Sequence, residues 1–235
     1  MITLILFLGL LPGFAWLIFY VKEEETHPEP KRLIVFAFAA GIVAGAVAIA
    51  VESFLVGLGA DISLGSLSVI ALLVFALIEE SVKWGAAYLA IGRSRFSRNP
   101  VDLMIYLIVA ALGFATLENI GALANFWMSA SGTRTETALL AGLAEALSLR
   151  FVGATLLHSL TSGVVGYHWA LGVLKKRVGR YLATGLIIAA LLHAFFNFLI
   201  LNYGNIAYAL VFLTLLGFFV LNDFEKLKRK SAIVE

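Results

Sequence analysis

No cysteine occurs in this chain. That excludes a disulfide, a thiolate metal site, a haem thioether attachment and a cysteine nucleophile, and it leaves the redox compartment unmarked. Charge is scarce as well. Charged residues make up 14% of the 235, and Lys plus Arg outnumber Asp plus Glu only 17 to 15. There is no basic stripe and no recognition motif, so nucleic-acid binding gets no support. Apolar residues fill the space instead: 61% of the chain is hydrophobic, in repeated runs of about twenty residues, the length that crosses the hydrocarbon core of a bilayer. Inside lipid every backbone polar group must be satisfied within the chain, which selects helices for runs of this length. The expected fold is an all-α, polytopic transmembrane helix bundle, a single integral-membrane domain over residues 1–235.

Hydropathy predicts seven spans, over about 2–21, 34–58, 67–91, 101–125, 146–171, 181–202 and 205–222. An eighth helix fits 136–148, which is amphipathic and too polar to cross; it is placed at the outer surface or as an extension of the fifth span. The first run lacks a basic leader and a small-residue cleavage site, and is read as a retained helix bent at Pro12-Gly13. Basic residues cluster in alternate connections: Lys22, Lys31 and Arg32; Arg93, Arg95 and Arg98; Lys175, Lys176, Arg177 and Arg180; and Lys226, Lys228, Arg229 and Lys230. The intervening connections hold almost none, with Arg134 and Arg150 as exceptions. The positive-inside rule then puts the N-terminus outside and the C-terminus in the cytoplasm, in the cell membrane. Asn99-Pro100 reads as a cap and first helical residue of the fourth span. The second span carries Gly41 and Gly45 among alanines, a face that lets another helix approach closely.

The spans contain few polar residues. The third holds Glu79, Glu80 and Lys83 near its middle; the second holds Glu52; the fourth Glu118 and Asn119; the fifth His158, with Thr161 and Ser162; the sixth His193 and Asn197. A charged side chain at the centre of a membrane helix costs about 2.5–3.5 kcal/mol on insertion scales, so such residues mark function by default. A rise of about 1.5 Å per residue puts His158 about 17 Å, His193 about 13 Å and Glu118 about 10 Å below the outer ends of their spans. Four helices thus place ionisable groups in one layer, which predicts a polar cavity opening toward the outside. Lys83 is read as a counter-ion and Glu52 as structural or interfacial.

The chemistry open to this set is narrow. Ser81, Ser159 and Ser162 lie near it, but none is in a nucleophile-elbow context. Carboxylates, imidazoles and a carboxamide remain. Glu79 or Glu80 can take a proton from water and return it to a leaving amine, with His158 or His193 orienting that water and Asn197 donating to a developing oxyanion. Alternatively Glu79 or Glu80 with His158 and His193 supplies the ligands of a catalytic zinc with an open position. A proton-coupled transporter could use the same groups as a relay, although the paired halves usual in transporters are not evident.

Glu79-Glu80-x-x-Lys83, Phe114-x-x-x-Glu118-Asn119, His158 within Leu156-Leu157-His158-Ser159, and His193-x-x-x-Asn197, in order on four successive spans, resemble the PrsW family of intramembrane proteases, relatives of the CAAX prenyl endopeptidases. The resemblance covers roughly 67–202, taken as the catalytic core. It implies an endopeptidase that cuts membrane-anchored proteins near the outer face, anti-sigma factors in some cases. It also implies a site made of Glu79, Glu80, Glu118, His158, His193 and Asn197, working either with Zn2+ or another divalent metal or as a glutamate-dependent hydrolase. The same superfamily includes non-proteolytic scaffold subunits, which keeps a scaffold role as the alternative.

Overall fold

The computed structural model describes residues 1–23, 30–58, 69–91, 100–132 and 134–231. Among them are eight helices: α1 (Ile2–Glu23), α2 (Lys31–Gly57), α3 (Val69–Ile91), α4 (Pro100–Ala130), α5 (Glu136–Val152), α6 (Ala154–Leu174), α7 (Val178–Tyr203) and α8 (Ile206–Ser231). His27, Asn99 and the basic residues Arg93, Arg95 and Arg98 lie outside the described residues. Six stretches are long and apolar enough to cross a membrane, with Glu136–Leu174 taken as one. The stretch missing from that set is α3, whose 23 residues hold Glu79, Glu80 and Lys83. It nevertheless packs into the same bundle, against α2, α4, α6 and α7. The protein is an integral membrane protein.

The bundle is built round α4. A helix that is hydrophobic on all sides has to be surrounded, and every residue of α4 from Pro100 to Thr116 is buried. It packs against α1, α2, α3, α5, α6 and α8. The outer helices turn large apolar side chains such as Phe36, Leu89 and Phe218 away from the bundle, as lipid-facing surfaces require.

The small-residue face of α2 finds its partner in α4. A Cβ at Gly41 would strike the carbonyl of Ala110, and a Cβ at Gly113 would strike the carbonyl of Phe38. Reciprocal glycines therefore bring the two backbones together, since lipid supplies no hydrophobic drive to hold helices and close packing must do it. Pro12 lies inside α1, which continues through it.

The predicted fifth span needs correction. The segment 136–148 belongs to a separate helix, α5, which runs on to Val152, and the membrane helix begins only at Ala154. Thr135 caps α5, its side chain accepting from the amide of Ala138. Gly153 separates the two helices, with φ −104° and ψ −94°; a Cβ there would press on the Leu149 carbonyl oxygen. Hydropathy could not show this break, because the stretch stays apolar across it. Helix α5 lies over the start of α1 and the end of α4, closing a small cluster of Ile5, Leu123 and Leu143. His158 consequently falls in the second turn of α6, about 6 Å from its start rather than 17 Å.

Replacing Gly113 by Ala should lower stability by about 1–3 kcal/mol, since the backbones must part to admit the methyl group. Gly121→Ala, where a Cβ meets nothing within 4 Å, should change it by no more than about 0.5 kcal/mol. Thermal unfolding of the two variants side by side in detergent checks this.

Candidate active site

On α3 the side chains of Ala76, Glu79, Glu80, Lys83 and Ala87 share the buried face, as three- and four-residue steps require. Glu80 and Lys83 are wholly inaccessible. Lys83 Nζ donates to Glu80 Oε1 at 2.7 Å. The same carboxylate accepts from Thr161 Oγ1 at 2.8 Å and Ser162 Oγ at 3.2 Å on α6, and from His193 Nδ1 at 3.0 Å on α7. Four donors from three helices thus converge on one buried anion. Desolvating a charge costs several kcal/mol unless its lone pairs are satisfied, and here they are.

The histidines' orientations follow. An ionised carboxylate only accepts, so His193 carries its proton on Nδ1 and turns the bare Nε2 toward Glu79 Oε2, 3.6 Å away. An ammonium only donates. Lys83 Nζ lies 2.9 Å from His158 Nδ1, which therefore accepts, and the opposite Nε2–H donates to Glu118 Oε2 at 2.8 Å. The imidazoles meet edge to face, centroids 5.0 Å apart. Phe114, one turn before Glu118, packs its ring against His158 and beneath the Lys83 ammonium, 4.8 Å from its centroid.

Glu79 behaves differently from its neighbour. Its Oε2 is buried and has no hydrogen-bond partner among the described residues, while standing 3.9 Å from His158 Nδ1 and 3.6 Å from His193 Nε2. Glu79, His158 and His193 each offer one ligand atom, all within 4.8 Å of one another. A carboxylate and two imidazoles are the protein ligand set of a catalytic zinc. Two of the three candidate atoms are free; the third, His158 Nδ1, is taken by Lys83. The residues fit a divalent metal provided that Lys83 yields that nitrogen. His193 already shows the expected supporting contact, its other N–H held by a carboxylate.

The structure therefore brings five of the six sequence-predicted residues together: Glu79, Glu80, Glu118, His158 and His193. Asn197 lies one turn beyond His193, half-buried, and no hydrogen bond ties it to the cluster among the described residues. Two residues were missed. Arg150, at the end of α5, donates from Nη2 to Glu118 Oε2 at 3.1 Å and from Nε to Asn119 Oδ1. Thr155 accepts from Asn119 Nδ2 at 3.0 Å. The signal for Arg150 was that it is one of two bases, with Arg134, on the side of the chain that otherwise lacks them. Glu52 also borders the site: it interacts electrostatically with Glu118, Glu79 and Lys83, and its buried Oε1 has no hydrogen-bond partner among the described residues. Exposure rises across the cluster, from 0% for the Glu80 side chain through 12% for Glu79 to 28% for Glu118, so the cluster opens on the Glu118 side.

A helical membrane bundle with carboxylates and imidazoles converging at the heart of four helices is the equipment of an intramembrane hydrolase. The comparison with known proteins agrees: residues 29–222 match the PrsW family of intramembrane metalloproteases, and the chain belongs to that family. It is 28% identical over 196 residues to a protease PrsW of Geobacillus kaustophilus, covering 82% of this chain and 78% of that one. It is 25% identical over 222 residues to that of Bacillus subtilis, covering 93% of each, and 26% identical over 234 residues to that of Oceanobacillus iheyensis, covering 97% and 98%. No solved structure matches. As a membrane protease, the protein acts within the lipid bilayer on a membrane-embedded substrate.

Removing the central charge should be structural before it is chemical. Glu80→Gln is expected to destabilise the bundle by about 3–5 kcal/mol, because Lys83 is left buried without its counter-charge. Lys83→Met added to it should recover part of that loss. Chemical or thermal unfolding of the single and double variants in micelles reads the difference.

Proposed function

We propose that this chain is an endopeptidase that cuts membrane-anchored proteins with a water activated by Glu79. The observation that carries the reading is the unpartnered, buried Glu79 Oε2 between His158 and His193. In this arrangement Glu80 is the anchor and Glu79 the reacting carboxylate. Glu79 Oε2 takes a proton from the attacking water, and the protonated carboxyl then returns it to the amine that leaves. His193 Nε2, locked by the bond from its Nδ1–H to Glu80, orients that water. His158 is held from both sides, by Lys83 and Glu118. Asn197, unattached to the cluster, is assigned to the substrate as a donor to the oxyanion. Zn2+ or another divalent ion, when bound, would be held by Glu79, His158 and His193 and would polarise the carbonyl and acidify the water, with Glu79 then serving as a ligand instead of as the base. The reacting groups lie in 67–202, the proposed catalytic core.

The full-length protein, purified in detergent and given a tagged single-span substrate, tests this. Wild type should cleave. Glu79→Gln and His193→Gln should each lower kcat by at least about 100-fold, the upper part of what a positioned acid–base group contributes; Glu79→Gln should leave thermal unfolding nearly unchanged, whereas His193→Gln, which takes a donor from Glu80, should also lower it. Elemental analysis of the same preparations should find one divalent ion per wild-type chain and little in either variant. A metal-free wild type that still cleaves would place water activation on the carboxylates alone. Wild type that cleaves nothing, but moves protons in liposomes, would make the cluster a relay.

We further propose that the N-terminus is outside and the C-terminus cytoplasmic, so that the open side of the cluster faces outward and the cut falls near the outer face. The segregation of basic residues supports this, and an anti-sigma-factor-like protein is the substrate class that the resemblance suggests. Because the chain has no cysteine, single substitutions label cleanly. Ser131→Cys, between α4 and α5, should react in intact cells with a reagent that cannot cross the membrane. Lys175→Cys, after α6, should react only once the cells are opened.

A further inference from the structure

Arg150 reaches the cluster from a helix that contributes nothing else to it. Helix α5 ends at Val152, the chain breaks direction at Gly153, and α6 begins at Ala154. That break returns Arg150 to the mouth of the site, where its guanidinium spans two neighbouring residues of α4. Nη2 donates to Glu118 Oε2 and Nε to Asn119 Oδ1. Asn119, itself fully buried, passes its amide hydrogen on to Thr155 Oγ1. The same Glu118 oxygen that takes the Arg150 hydrogen bond takes the one from His158 Nε2. Arg150, with a side chain 22% exposed, also lines a cavity of about 250 Å³ between the α5–α6 junction, α7 and α8, with Phe196 and Ile200 on its far wall.

Two alternatives for this arginine can be weighed. A surface ion pair between exposed side chains contributes about 0–1 kcal/mol and fixes nothing. This pair is partly buried and forked over two acceptors, a geometry for which guanidinium is suited and ammonium is not. Without it, Glu118 has one partner and is free to rotate toward the open side. His158 would then lose the acceptor that holds its Nε2–H, while Lys83 still fixes the tautomer. We infer that Arg150 is a positioning residue for proteolysis: it fixes Glu118, and through Glu118 it holds the orientation of the His158 ring, with Nδ1 presented to the interior of the site. The short helix α5 exists, on this account, to deliver that guanidinium. The inference rests on the reading of Glu118 and His158 as parts of the reacting site.

A double-mutant cycle on the full-length protein in detergent decides it, with kcat and KM measured for wild type, Arg150→Gln, Arg150→Lys, Glu118→Gln and the Arg150→Gln/Glu118→Gln pair. Arg150→Gln should lower kcat by about 10–100-fold, the range for an outer partner of a functional histidine, with KM within about twofold. Arg150→Lys, which can reach one acceptor but not both, should recover part of the loss. The pair should be no slower than Glu118→Gln alone, because residues that act through one another are not additive. Wild-type kcat in Arg150→Gln overturns the inference, as does a pair whose losses multiply. If Glu118→Gln itself keeps wild-type kcat, the reading of Glu118 falls and this inference with it; if Glu118→Gln is slow while Arg150→Gln is not, only the inference falls. Should Arg150→Gln fail to fold, Arg150→Lys and its pair with Glu118→Gln complete the same cycle, and multiplying losses there likewise overturn it.

Discussion

A carboxylate with no access to solvent, Glu80, holds this molecule's functional half together. An isolated anion at that depth would be prohibitive, and an ion pair with Lys83 alone would recover only part of the cost. The remainder comes from hydroxyls on α6 and an imidazole on α7, so that α3, α6 and α7 each supply a hydrogen bond to the one carboxylate. The saturated anion dictates which nitrogen of His193 bears a proton. Lys83 in turn dictates the same for His158. Two tautomers are thus set by one buried charge pair, and the two ring orientations set what Glu79 faces.

Adjacent residues in a helix are rotated by about 100° from each other, and that rotation separates two side chains that are chemically identical. Glu80 points into the junction of α6 and α7 and is used up there. Glu79 points to the gap between the histidines and keeps an oxygen unspent. Pre-organisation requires such a division, because a group that must react cannot also be the one that holds the frame. The gradient of exposure follows the same line, with the anchor sealed, the free carboxylate nearly so and Glu118 open. Water therefore reaches the cluster from one side, while the charge pair stays dry.

Much of this was legible in the sequence, for a specific reason. Ionisable residues are rare enough in membrane helices that their positions can be compared span by span, and Glu79, Glu118, His158 and His193 stood out on four spans, although the depth expected for His158 was wrong because α6 begins only at Ala154. Three things could not be read. The choice between Glu79 and Glu80 depends on which neighbours lie across the helix junction, which no one-dimensional pattern contains. The break at Gly153 is silent because residues on both sides are apolar, so a hydropathy window runs through it. Arg150 sits 31 and 32 residues from its partners, at the start of what was predicted as the fifth span, and only the exception it made to the charge segregation hinted at more.

Helix α3 is the opposite case, since hydropathy predicted a span over 67–91 and a helix lies there. A limit on charge would remove it from the set of membrane spans, because three charged residues exceed what a crossing helix ordinarily bears. The structure shows why it belongs nonetheless. Its charges are neutralised by one another and by α4, α6 and α7, so α3 is acceptable in lipid only as part of the assembled bundle. The central helix makes that assembly possible. With α4 almost wholly apolar from Leu103 to Ala115 and polar beyond, at Thr116, Glu118 and Asn119, the bundle has a packed apolar core that fixes the helices' positions and a polar layer next to it in which they cooperate. The reciprocal glycines at Gly41 and Gly113 draw α2 against that core, which sets the distance at which α2 carries Glu52 to the edge of the site. Close packing in one layer and charge satisfaction in the next are therefore a single constraint: loosen the contact between α2 and α4, and the carboxylates above it lose the spacing that keeps one of them free.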